Sequence, residues 1–314
     1  MPKRRARTPF DWQALKVALA SNPSTADFTQ YLAFYGYAEP VGHKVAVLPV
    51  TLADRTETVV LQCFAPEHPK GWALLHPGYY DHVGLFAHTV DYLLERQVGV
   101  YAFDQLGHGL SSGPRVTIET FDDYIAALDT VVEHLAQEVG PTWHWLGQSM
   151  GGAIVMEFLH RHPERATGEL VLYAPLVRPY AWSVNRLYFA LAKRLIRTRP
   201  RTITRNANNA EFLNLQHNDP LQADILPVAW VQSMVNWFEI FEQYPTSSRA
   251  PKIIQGRKDR TVSARHNMKV LGARYPAARW LHLPDASHHL ANESDELRAE
   301  MHAWLDAECD WVRQ

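Results

Sequence analysis

From Trp72 onward the chain alternates short apolar runs with helix-length amphipathic segments, and this alternation constrains the fold more than any other feature. WALLH precedes a helix expected near 86–96, GVYAFD one near 121–137, and TWHWLG one near 150–160, after which comes ELVLYAP. PKIIQG, a helix near 264–273, ARWLHLP and a helix from about 296 resume the pattern. Strands buried on both faces read as unbroken apolar runs, and a strand returned by a helix lies parallel to its predecessor. The pattern therefore predicts an α/β fold with a mostly parallel, doubly wound sheet. Each strand-like run ends in Gly, Pro or Asp, or is followed by one. Ligands of such sheets bind at the carboxyl ends of the strands, so functional side chains are expected just beyond these runs.

Three regions stand outside the alternation. Residues 1–40 read as accessory N-terminal helices over 11–20 and 26–35, split by the turn signal SNPS. HKVAVLPVTL and ETVVLQCFA flank ADRT, which predicts a hairpin opening a core made of 41–175 and 251–314. Residues 176–250 break the rhythm and are expected to form an inserted helical cap, with amphipathic stretches over 185–196 and 226–244. Its aromatics Trp182, Trp230, Trp237, Phe238 and Phe241 are candidates to line an apolar pocket.

Composition excludes several classes. With 46% hydrophobic and 20% charged residues the chain is neither disordered nor fibrous. Thirty-one basic against thirty-three acidic residues, net −2, give no global electrostatic basis for nucleic-acid binding. Cys63 and Cys309 are too few for a disulfide framework and sit in no metal spacing, so isolated thiols in a reducing, cytoplasmic setting are expected. Lys3, Arg4, Arg5 and Arg7 are followed by no apolar run of signal-peptide length and read as a solvated tail. No run reaches 18 apolar residues, so no bilayer span is expected.

The richest motif is Gly147-Gln148-Ser149-Met150-Gly151, a G-x-S-x-G directly after the strand-like TWHWL and directly before the helix-like AIVMEFLH. Glycines flanking the serine permit a sharp strand-to-helix turn that lifts its hydroxyl into the crevice at a helix N-terminus. A serine hydroxyl is a weak nucleophile, so it needs a general base, and the base needs an orienting carboxylate. Asp259 follows the strand-like KIIQG, and His288 and His289 follow WLHLP in DASHH. The order Ser, Asp, His is the one expected when all three protrude from successive strand ends of one sheet. Either imidazole could accept the serine proton by chemistry alone. A tetrahedral oxyanion needs two donors: the backbone N–H of Met150, after the nucleophile, and one from the PGYYDH loop, where Gly78 allows close approach and Tyr79 supplies the amide. No HExxH spacing and no phosphate-binding glycine loop is present, so neither metal nor organic cofactor is expected.

Together these segments resemble the α/β-hydrolase family, in its branch of monoacylglycerol lipases and bacterial lysophospholipases, also described as serine aminopeptidase-like. The resemblance covers about 72–303. PGYYDHVGLF is similar to the family's HGxxEHxxRY oxyanion loop and FDQLGHGLSSGPR to its DxxGHGxSxGxR loop; GQSMGG resembles its elbow, and GRKDRTV and LPDASHHLANE its Asp and His loops. The family histidine follows P-x-A-x, which implies that His288 is catalytic and leaves His289 where the family often has an acidic residue. Tyr79 then maps to the second oxyanion donor, while Gly107, His108 and Gly109 are expected to be structural turn residues. One departure stands out: the family's His-Gly is Pro77-Gly78 here, with His76 one position earlier. The resemblance implies the α/β-hydrolase fold, two-step acyl transfer without a cofactor, and a small lipid-like ester with one acyl chain as substrate. Peripheral membrane contact through the cap belongs to the same expectation.

Lys193, Arg194, Arg197, Arg199, Arg201 and Arg205 crowd one stretch of the cap and are candidates to hold a phosphate or meet an anionic surface. An aminopeptidase is the nearest rival, with Glu211, Glu239 or Glu242 as candidate sites for a substrate amine. Dehalogenase and epoxide-hydrolase chemistry would need Asp in place of Ser149. A non-catalytic receptor on the same fold is the remaining rival.

Overall fold

The computed structural model describes residues 10–21, 23–37, 42–165, 168–202 and 205–312. The basic tail at Lys3, Arg4, Arg5 and Arg7 lies outside the described residues. A hairpin, β1 (Lys44–Thr51) and β2 (Thr56–Phe64), opens an eight-stranded sheet. β1 pairs only with β2, and that edge position tolerates Pro49, which lacks the N–H a central strand would need. Next come β3 (Gly71–His76), helix α3 (Ala87–Glu95), β4 (Val98–Phe103), α4 (Phe121–Val139), β5 (His144–Gln148), α5 (Met150–Arg161) and β6 (Leu170–Tyr173). The sheet is completed by β9 (Lys252–Gly256), α9 (Ala264–Arg274), β10 (Arg279–Leu283) and α10 (Asp295–Glu308). Its strand order is β1-β2-β4-β3-β5-β6-β9-β10. β2 meets both β1 and β4 antiparallel, and every other pairing in the sheet is parallel.

All six residues of β4 and all five of β5 are buried, as their unbroken apolar runs require. Helix α4 turns Phe121, Tyr124, Ile125, Leu128, Val131, Val132 and Leu135 inward at helical spacing. Two apolar clusters result. One joins α4 and α5 to the sheet through Trp145, Leu172 and Phe158. The other joins α3 and α10 to the N-terminal helices α1 (Trp12–Leu19) and α2 (Thr29–Tyr35). Phe10, Phe28, Tyr31 and Tyr35 are buried in that second cluster, and Tyr35 lies against Gly84, where an added Cβ would come within 2.6 Å of its ring.

The chain between β6 and β9 carries α6 (Trp182–Ala192), α7 (Ala210–His217) and α8 (Val228–Phe241). It also forms a two-stranded antiparallel ladder, β7 (Thr198–Pro200) with β8 (Ile225–Pro227). Helix α6 begins three residues before the expected stretch over 185–196. Neither α7 nor the ladder was expected: strands of three residues ending in proline offer no alternation to read. Among the described residues no helix is long and apolar enough to cross a membrane. Cys63 and Cys309 are free thiols, and burial pushes them up to about 11 and about 12, so both stay protonated at neutral pH.

Candidate active site

The sheet's topology brings the predicted site residues to one edge. β3 and β5 are neighbours in parallel register, with His76 opposite Gly147, so the Pro77-Gly78 loop and Gln148-Ser149 leave the sheet side by side. Ser149 follows β5 and caps α5 with φ 52° and ψ −113°, a conformation that a side chain adopts only under constraint. The constraint comes from β6 and beyond: Ser149 N–H donates to Tyr173 O at 2.8 Å, and Leu176 N–H donates to Ser149 O at 3.0 Å. Glycine is required on both sides. A Cβ at Gly147 would lie 2.6 Å from Gly152 Cα, and one at Gly151 would lie 2.1 Å from the His76 carbonyl oxygen. Gly151→Ala is expected to destabilise the fold by about 1–3 kcal/mol, as overpacking against backbone does, and to lower kcat by displacing the β3 end. Denaturant unfolding beside a rate assay checks both effects.

Ser149 Oγ donates to His288 Nε2 at 2.9 Å, and His288 Nδ1 donates to Asp259 Oδ2 at 2.8 Å. Because a carboxylate only accepts, it keeps the proton on Nδ1 and leaves Nε2 free to receive one. Asp259 follows β9 and His288 follows β10, and these adjacent strands deliver the pair. Asp259 Oδ1 also accepts from the Thr261 and Val262 N–H groups, at 2.8 and 3.0 Å, and Oδ2 from Gln255 Nε2 at 3.0 Å. Burial pushes the Asp259 carboxyl up, but His288 and these donors outweigh it and hold it below the usual range. For His288 burial opposes protonation, yet the Asp259 carboxylate raises the imidazole above its ordinary value. His289 does not reach Ser149; its ring faces Asp81, Nε2 to Oδ1 3.2 Å.

The backbone N–H groups of Tyr79 and Met150 have no hydrogen-bond partner among the described residues. Gly78 sits so close to Ser149 that a Cβ there would be 3.4 Å from the serine Cβ and 2.6 Å from Asp81 Oδ2. The Pro77 departure is absorbed by Gln105, whose Nε2 donates to Pro77 O at 2.7 Å and lies 3.1 Å from His76 Nδ1. Gly107 and Gly109 have φ of 71° and 48°, and Cβ atoms there would strike Pro114 O and Asp104 Oδ2. Both are turn residues, and His108 is buried beneath the Tyr79 ring.

Several residues of the site were not anticipated. Gln148 Nε2 donates to the His288 carbonyl at 3.0 Å, and the His288 and His289 N–H groups both donate to Asn206 O. Gln255 steadies Asp259, and Asp81 ties the Gly78 loop to His289. The loop is fixed from the other side as well. Tyr79 stacks on Trp230 with centroids 3.6 Å apart, and Tyr80 Oη donates to Ile225 O at 3.0 Å. His82, just beyond, is paired with Asp219 at 2.8 Å, and Asp219 also accepts from Tyr35 Oη at 2.6 Å. Burial opposes charge on both members, but each holds the other ionised: Asp219 raises His82, and His82 lowers Asp219.

A cavity of about 440 Å³ opens onto Ser149 and His288. Trp182, Trp230 and Phe238 line it, whereas Trp237 and Phe241 are buried in the core, Trp237 stacked on Phe121 at 4.7 Å. Of the six clustered cations only Arg199 and Arg201 line the cavity. Glu211, Glu239 and Glu242 do not line it; Glu242 pairs with Arg178 and His266.

An eight-stranded, mostly parallel sheet with this strand order, carrying a serine elbow at the end of β5, defines an α/β hydrolase. The chain belongs to the Hydrolase_4 family, described as serine aminopeptidase, S33, which matches residues 67–295. It is 27% identical over 252 residues to a monoacylglycerol lipase of Mycolicibacterium smegmatis, covering 76% of this chain and 88% of that protein. To the monoglyceride lipase of Mus musculus it is 22% identical over 251 residues, covering 76% and 82%. Its fold is similar to that of a soluble variant of Saccharomyces cerevisiae monoglyceride lipase solved with a substrate analogue. That similarity has a TM-score of 0.70 at 15% identity, over 88% of this chain and 98% of the yeast chain.

Proposed function

We propose that this α/β hydrolase cleaves carboxylic esters of single-acyl-chain lipids, a monoacylglycerol or a lysophospholipid, through an acyl-enzyme on Ser149. The observation that carries this reading is the unbroken chain Ser149 Oγ, His288, Asp259, at 2.9 and 2.8 Å, opening into an aromatic-lined cavity. In this mechanism His288 Nε2 takes the serine proton as Oγ attacks the ester carbonyl. The oxyanion is received by the N–H groups of Tyr79 and Met150, and the imidazolium then protonates the leaving alcohol. Water, deprotonated by the same nitrogen, releases the acid and regenerates Ser149. Asp259 holds the tautomer and balances the transient positive charge.

Residues 176–250 act in this reading as a cap over Ser149. The exposed apolar side chains of Tyr180, Val184 and Leu195 are its points of contact with a lipid aggregate. An aminopeptidase needs a carboxylate for the substrate amine, and the one carboxylate lining the cavity among the described residues, Asp81, already faces His289. Hydrolysis of matched monoacylglycerol, lysophosphatidylcholine and aminoacyl-amide substrates tests the reading: ester cleavage is expected, and turnover of the amide alone would replace it with the peptidase.

The general base works only when neutral, and His288 has its pKa raised by Asp259. Ester kcat/KM is accordingly expected to fall as pH drops, with an acid limb centred above the ordinary histidine value of about 6.5. A pH–rate profile on a soluble short-chain ester measures it.

A further inference from the structure

Arg201 is a cation set into the wall of the cavity that opens onto Ser149, and Asp81 and Asp219 act on it only at a distance. Its Nη1 donates to two neutral acceptors, the side-chain oxygen of Gln222 and Ala223 O, and its guanidinium lies 3.8 Å from the centroid of the Tyr80 ring. No carboxylate forms an ion pair with it among the described residues. A guanidinium has five N–H donors, so Nε and Nη2 keep three of them without a partner there. The nearby carboxylates are engaged elsewhere, Asp81 with His289 and Asp219 with His82 and Tyr35. Burial makes the charge on Arg201 harder to hold, and Asp81 and Asp219 offset this only in part.

The cavity around it is asymmetric. Trp230, Met234 and Phe238 supply an apolar wall, while Arg260 also lines the cavity with Arg201, and among the described residues Asp81 is the one carboxylate in the lining. Arg260 comes from the loop that carries Asp259, so the positive groups reach the cavity from both the β6–β9 segment and the sheet. Uncharged esters would leave the guanidinium half-desolvated, whereas an oxyanion of phosphate or carboxylate matches its planar fork.

We propose that the preferred substrate is an anionic amphiphile: an ester with one acyl chain that also bears a phosphate or carboxylate group, seated against Arg201 in the cavity that Arg260 also lines. The proposal rests on the hydrolase reading above and narrows its substrate class. It also explains why a chain resembling lipases of neutral glycerides places arginine in the pocket wall.

The test compares dodecyl phosphate, laurate and the neutral 1-O-dodecylglycerol as inhibitors of short-chain ester hydrolysis, below their aggregation concentrations. At least one anion is expected to inhibit tenfold or more tightly than the neutral ether. Dodecyl phosphate leading identifies a phosphate headgroup, and laurate leading a carboxylate. In Arg201→Gln the gap is expected to close to within about threefold, and Arg201→Lys is expected to retain part of it. Equal inhibition by all three in the wild type, or a gap that survives Arg201→Gln, overturns the proposal. A purely structural role, bracing Tyr80, would weaken anions and neutral ether alike and leave the gap intact. If Arg201→Gln does not fold, the wild-type gap and Arg201→Lys decide. Labelling of Ser149 by an alkyl fluorophosphonate keeps the two readings apart: without labelling the hydrolase reading fails, while calorimetric binding of the same three ligands still tests the anion seat.

Discussion

Ser149→Ala is expected to lower kcat for ester hydrolysis by roughly 10⁵- to 10⁶-fold, the loss typical when a nucleophile acting as one unit with its base is removed. In the proposed mechanism, removing Oγ deletes the atom that forms the acyl-enzyme and leaves His288 with nothing to deprotonate. The elbow keeps its backbone bonds to Tyr173 and Leu176, so the variant retains its fold and the residual rate reports chemistry alone. The checks are the residual rate and the loss of fluorophosphonate labelling. Activity within tenfold of wild type would place the nucleophile elsewhere.

Asp259→Asn is expected to lower kcat by about 10⁴-fold with nearly unchanged shape. An amide oxygen can still accept from Thr261 and Val262 N–H, but an amide NH₂ turned toward His288 favours the tautomer with the proton on Nε2. The serine would then face a donor instead of an acceptor. Because Asp259 is what raises the His288 pKa, the acid limb of the residual activity is also expected to move to lower pH. A limb that stayed in place would mean another group governs it. Stability shifts too: the depressed carboxyl contributes above its unfolded pKa and loses that contribution as pH falls through its folded pKa, so the variant loses it near neutrality.

Much of this site was legible in the chain because each member sits at a strand end, and strand ends follow from periodicity. Ser149, Asp259 and His288 each follow the carboxyl end of a strand, β5, β9 and β10, and one topology brings such ends together. Which histidine bonds the serine was not legible from chemistry; it depends on the backbone of 288 and 289, both pinned to Asn206 O, a contact from a distant segment. Gln148, Gln255 and Gln105 were missed for a related reason. Each donates a side-chain amide to a group far off in sequence or bent back locally, and a glutamine at or just beyond a strand end carries no pattern that announces its partner. Sorting Arg199 and Arg201 from the other four cations depends on the path of the β7–β8 ladder, which charge counting does not reach.

The buried trio of Tyr35, Asp219 and His82 joins three stretches of chain that the sequence keeps far apart. Tyr35 belongs to the helices that precede the sheet, Asp219 to the segment between β6 and β9, and His82 to the loop that presents the Tyr79 amide. Shortening the protein at its amino end would strip a donor from Asp219, loosen the ionised pair and free that loop. For anyone trimming this chain or grafting its sheet into another, the first helices are therefore braces of the loop beside Ser149, and a version begun at β1 is expected to lose that brace.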